Sequence, residues 1–204
     1  MRHSDEIETP RGPARIDTDL PAGPAATLLA LGHGAGGGVD APDLLAVRDA
    51  VVHAGLAVVR VTQPYRVAGR RAPAPAGQLD EAWTAVLTAL RQRHPGVSRW
   101  VVGGRSSGAR VACRTAGAVG AAGIVALAFP LHPPGRPERS RAAELATGLP
   151  TLVVNGDRDP FGAPDPAPGV DVVLRPGERH DLRRDPAGTA DEVLRWLRVR
   201  GWAE

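Results

Sequence analysis

The sequence predicts an α/β fold, a mostly parallel sheet with helices on both faces. Three observations carry that expectation. Apolar runs of strand length alternate with helix-length amphipathic stretches through the 204 residues. The strand-like runs are apolar at nearly every position rather than every second one, as in a sheet covered on both sides. Glycine-rich polar segments follow those runs, at the edge where open parallel sheets place their sites. No internal repeat or linker interrupts the pattern, so residues 1–204 are expected to form one domain with a sizeable core.

Taken in order, residues 6–24 read as an antiparallel hairpin at the N-terminus. Thr27–Leu31 (TLLAL) is a strand that runs into the glycine-rich GHGAGGG. Asp40 is expected to cap a helix continuing to about His53. Ala57–Thr62 (AVVRVT) is the next strand, followed by the loop QPYRVAGRRAPAPAG. Over Gln78–Arg93, helical spacing puts Leu79, Ala82, Trp83, Val86, Leu87 and Leu90 on one face. Trp100–Val102 enters GGRSSGAR, and a helix is expected to about Ala118. Gly123–Phe129 is a fully apolar strand. A Pro-rich loop and a short helix near Glu138–Ala146 lead to the strand Thr151–Val154 and then to NGDRDPFG. Val170–Leu174 is the last strand, followed by GERHDL and a closing helix from about Thr189 to Arg200. The interval between Phe129 and Thr151 holds a loop and one short helix, too little for a cap domain.

Composition excludes several chemistries. All 25 basic residues are arginine, which removes a P-loop lysine, a Schiff-base lysine and a Ser-Lys dyad. A net charge of +3 gives no electrostatic case for nucleic acid. One cysteine rules out an intrachain disulfide and a cysteine-built metal site. The polar N-terminus lacks the apolar core of a signal peptide. Residues 115–135 carry no formal charge, but Gly117, Gly120, Gly123, Pro130, Pro133 and Pro134 break them, so no membrane span is expected. A cytoplasmic protein with a small-molecule partner is expected, with neither nucleic acid nor membrane; the oligomeric state is left open.

Gly104-Arg105-Ser106-Ser107-Gly108 matches G-x-S-x-G with Ser106 at its centre, between a strand and a helix, where a nucleophile elbow belongs. Asp159 and Asp157 follow a later strand, and His180 follows the last. Ser, Asp, His is the order of the α/β-hydrolase triad rather than of the common proteases. Asp159 is preferred over Asp157 as the acid because its spacing from Gly156 leaves a short turn. In GHGAGGG the backbone can turn an amide toward a developing oxyanion, with Ala35 and Ser107 as donors. Gly32, Gly34 and Gly37 also satisfy G-x-G-x-x-G. A dinucleotide site, however, wants an acid closing the next strand, and that strand ends Arg60-Val61-Thr62-Gln63. Tyr65 and Arg66, with Arg70 and Arg71, lie in the loop after the second core strand. With His132 they are candidates for contacting substrate.

The segments TPRGPA (9–14), LGHGAGG, GGRSSGAR, FPLHPPGRPE, NGDRDPFG and GERHDL together span residues 9 to 182. They resemble the α/β-hydrolase superfamily. More narrowly, they are similar to small dienelactone-hydrolase-like proteins that share the hydrolase-like domain of testis-expressed protein 30 and of subunit 3 of the nonspecific-lethal complex. The resemblance implies an α/β-hydrolase fold without a cap and a serine hydrolase acting on a small ester or thioester. No metal or organic cofactor is implied, and some relatives serve as non-catalytic binding modules. Ala109 departs from the glycine expected after the elbow.

Overall fold

The computed structural model describes residues 2–204. Strands β1 (Arg2–Ile7), β2 (Ala14–Asp19), β3 (Thr27–Gly32), β4 (Ala57–Thr62), β5 (Arg99–Arg105), β6 (Gly123–Leu127), β7 (Thr151–Gly156) and β8 (Val170–Arg175) form one sheet. Their spatial order is β1-β2-β4-β3-β5-β6-β7-β8. The β1–β2 and β2–β4 pairs are antiparallel, and every later pair is parallel. The crossovers therefore carry helices to both faces.

Alternation along β3 shows how the core divides. Leu28 and Ala30 face helices α3 (Ala76–Arg93) and α4 (Ser107–Thr115), together with Trp83, Leu87 and Ala112. Leu29 and Leu31 face α1 (Pro42–His53) and α5 (Pro186–Val199), among Leu44, Val47, Val193 and Leu197. Burying both faces of one strand is what makes its sequence apolar throughout. The exception in β4 is Arg60, fully buried, which pairs with Asp19 at 3.1 Å and donates to the Val39 carbonyl.

Several boundaries differ from expectation. The hairpin begins at Arg2 rather than residue 6, because β1 is an edge strand held by backbone pairing and its RHSDEI sequence carries no apolar signal. Asp40 does not cap α1. The N-cap is Ala41, followed by Pro42, whose missing N–H is harmless at a first helical position. A one-turn helix α2 (Pro64–Val67) interrupts the loop after β4. The segment near 138–146 contributes only a 3₁₀ turn over Ala142–Leu145. α5 starts three residues early, where Asp185 accepts from the Gly188 amide. Between β6 and β7 there is no cap domain. Among the described residues no helix is long and apolar enough to cross a membrane.

Candidate active site

Ser106 stands at a tight strand-to-helix turn. It ends β5 and opens α4 with φ 53° and ψ −111°, a left-handed conformation that a side-chain-bearing residue adopts only under constraint. The constraint is close packing. A Cβ on Gly108 would lie 2.5 Å from the Gly32 carbonyl oxygen, and one on Gly104 equally near the same atom. Glycine at both positions lets β3 and the start of α4 pinch the turn, and the Ser106 amide is tied to the Leu127 carbonyl at 2.9 Å.

A hydrogen-bonded row leads away from that serine. His180 Nε2 lies 2.8 Å from Ser106 Oγ, and its Nδ1 lies 2.8 Å from Asp159 Oδ2. With Asp159 accepting at Nδ1, the proton sits there and leaves Nε2 to accept from the serine hydroxyl. The Asp159 carboxylate is fully buried, and its other oxygen accepts from the Phe161 amide at 2.9 Å. Asp157 is exposed and accepts from the Gly177 amide, closing a turn rather than meeting the imidazole. The Phe161 ring stacks on His180 with centroids 4.1 Å apart.

The His180 loop is clamped from beneath by Glu178. Glu178 is 2% exposed, and its carboxylate accepts from the Arg184 and Asp185 amides, while its carbonyl accepts from the Arg158 amide. Leu182, at φ 43°, drives its side chain into the core beside α1 and α5.

Across the site, the glycine-rich loop after β3 is held by its carbonyls. Tyr65 Oη donates to the Ala35 carbonyl at 2.8 Å. His33, buried, accepts from the Gln63 amide at Nε2, so its Nδ1–H donates to the Gly34 carbonyl at 2.8 Å. Burial pushes the His33 pKa down, in keeping with this neutral tautomer. With its carbonyls drawn away, the Ala35 amide has no hydrogen-bond partner among the described residues, nor has the Ser107 amide at the first turn of α4. Both amides are therefore left without an internal acceptor among those residues.

The other candidates sit as follows. Tyr65 is buried, its hydroxyl committed to the loop. Arg66 is half-buried and donates to the Arg70 carbonyl, whereas Arg70 and Arg71 are exposed. His132 packs against Gly162, with Nδ1 2.9 Å from the Pro133 carbonyl. Cys113 is buried and its thiol pushed up to about 12 by desolvation, so it is no rival nucleophile. Sequence reasoning missed Phe161, Glu178 and the His33–Gln63 contact. The first two stand inside the motifs NGDRDPFG and GERHDL, which signalled a site but not these roles. Among the described residues no group of three or more His, Cys, Asp or Glu could hold a metal.

Comparison with known proteins agrees with this architecture. An α/β serine hydrolase without a lid from Xanthomonas campestris superposes with a TM-score of 0.77 at 21% identity, over 98% of this chain and 94% of that one. A putative α/β hydrolase from Agrobacterium tumefaciens gives 0.78 at 16% identity, with 99% of each chain covered. Dienelactone hydrolase from Anabaena variabilis gives 0.73 at 16%, covering 98% and 97%. Comparison with curated proteins finds no match. The family model for the α/β-hydrolase domain matches residues 25–173. By that match, and with an eight-stranded sheet of the same kind beneath it, the chain belongs to the α/β-hydrolase domain family.

Proposed function

We propose that the chain is a serine hydrolase that cleaves a small ester or thioester. The observation that carries this reading is the Ser106–His180–Asp159 row, with both spacings at 2.8 Å. In the proposed cycle, Ser106 Oγ attacks the substrate carbonyl as His180 Nε2 takes the hydroxyl proton. The tetrahedral oxyanion is stabilised by the Ala35 and Ser107 amides. His180 then gives its proton to the departing alcohol or thiol, leaving an acyl group on Ser106. Water, deprotonated by the same imidazole, releases the acid and regenerates the serine. Asp159 holds the imidazole in the required tautomer, and Phe161 limits its rotation. Arg66, in α2, and His132, in the loop after β6, are the proposed substrate contacts.

The narrower likeness to the hydrolase-like domain of testis-expressed protein 30 and of subunit 3 of the nonspecific-lethal complex belongs to this proposal. So do a cytoplasmic location and a small-molecule partner rather than nucleic acid or membrane. A fluorophosphonate probe tests the reading. It is expected to attach to Ser106 and not to Ser107, and Ser106→Ala is expected to abolish labelling without unfolding the protein. Folded protein with neither labelling nor esterase activity on short nitrophenyl esters would sink the proposal in favour of a non-catalytic binding module.

A further inference from the structure

One side chain touches three of the segments that build this site without taking part in the row itself. Arg105 immediately precedes Ser106, and its side chain is 15% exposed. Its Nη2 donates to the His180 carbonyl at 3.1 Å. Its Nε lies 3.2 Å from Asp43 Oδ2, a charge contact without hydrogen-bond geometry, at the N-terminal turn of α1. Its Nη1 packs against the glycine loop, 3.7 Å from where a Cβ on Gly34 would stand and 3.9 Å from one on Gly37. The guanidinium thus meets the elbow, the histidine loop, the oxyanion loop and α1.

We propose that Arg105 is a positioning residue that sets the distance between the histidine loop and the oxyanion loop, with buried Asp43 as the counter-charge that holds its guanidinium in place. This deepens the hydrolase reading and rests on it for its catalytic meaning. The chemistry fits the shape. A planar guanidinium presents donors in several fixed directions, so it can span separate loops where an ammonium serves one. Asp43 is fully buried and has no other cation within ion-pair distance among the described residues. A carboxylate placed there without Arg105 would be a desolvated, uncompensated charge. The arrangement is also local to the site. Arg110, one turn along α4, forms a comparably half-buried pair with Glu144 at 2.6 Å but touches none of these loops.

Arg105→Ala, Arg105→Lys, Asp43→Asn and, as a control, Arg110→Ala form the test. Saturation kinetics with the fluorophosphonate separate binding of the probe from the bond-forming step. Arg105→Ala is expected to slow bond formation about 100-fold with probe binding little changed, since a displacement near 1 Å costs that much. Lysine is expected to restore little of it, and Asp43→Asn to cost about tenfold through a loosened guanidinium. Arg110→Ala is expected to react like the unaltered protein even where its melting temperature falls. Equal losses in Arg105→Ala and Arg110→Ala, or full rescue by lysine, would overturn the proposal. A second readout needs no reaction: the NMR signal of the His180 Nδ1 proton shared with Asp159. It is expected to broaden in Arg105→Ala, or in Asp43→Asn should the first variant not fold. An unchanged signal would overturn the positioning role even if the unaltered protein failed to react with the probe, which would separately sink the hydrolase reading.

Discussion

The two edges of the sheet solve the same problem with different residues. At the edge where strands begin, left-handed turns fall on Gly55, Gly120, Gly148 and Gly169, each shortly before β4, β6, β7 or β8. At the edge where strands end, three left-handed positions carry side chains: Ser106 after β5, Ala128 after β6 and Leu182 after β8. Each such residue costs about 1–2 kcal/mol relative to glycine. The first edge only has to reverse the chain, so nothing opposes glycine there. At the second edge a hydroxyl and a core anchor are needed where the chain turns, and strain is retained with them. Both Ala128 and Leu182 are fully buried in the core shared with α1, so surrounding packing fixes the conformations that the backbone disfavours.

The largest test of this contrast lies within the second edge. Asp159→Asn is expected to lower ester turnover by about 10⁴-fold, because the imidazole then favours the wrong tautomer. Asp157→Asn, which removes only a turn contact to Gly177, is expected to stay within a few-fold in the same initial-rate assay. If the two outcomes were exchanged, the acid would be Asp157.

Next in size is the pH dependence of stability. Asp43 has its pKa raised from 3.8 to about 6, chiefly by desolvation, with Arg105 opposing the rise and Asp181 adding to it. In that interval the folded protein keeps a proton that the unfolded chain has released. Stability is therefore expected to fall as pH rises through the window, by about 3 kcal/mol in all. Urea unfolding across the window measures it, and Asp43→Asn is expected to flatten the slope. Asp5, on β1 far from the site, has its pKa lowered by the Glu6 amide and by Arg93. Its contribution has the opposite sign, being lost as pH falls.

The smallest effects compare the edges directly. Gly148 has open space where a Cβ would stand, so Gly148→Ala isolates backbone strain and is expected to cost about 1 kcal/mol. Ser106→Gly is expected to gain up to about 1 kcal/mol in stability while removing the proposed nucleophile. Denaturant midpoints of opposite shift would sustain the contrast; a shared sign would break it.

What was legible in the sequence follows the same division. β4 coincides with AVVRVT, and α3 buries the six residues that helical spacing selects, because burial on a sheet or helix face writes a regular period. The row of Ser106, Asp159 and His180 was legible as a candidate because each lies in a short motif just past a strand. β1 was not legible at its start, since an edge strand can be built from polar residues through backbone pairing alone. Asp40 misled because a good capping residue one position too early looks the same in sequence as one in place. Arg105 stands in GGRSSGAR beside Ser106, but nothing local to it marks a positioning role. Its contacts with Asp43 and His180 span 62 and 75 positions of chain, and no local pattern records them.

The missing cap has a kinetic consequence. With no domain inserted between β6 and β7, an acyl group on Ser106 would face bulk water rather than a closed chamber. Its fate would then be a competition decided by concentration, and water outnumbers any dissolved alcohol or amine. On the proposed mechanism, such a site would discharge its intermediate to solvent and make a poor transferase. Added hydroxylamine would divert product only in proportion to its own concentration, without the saturation that a bound second substrate would give.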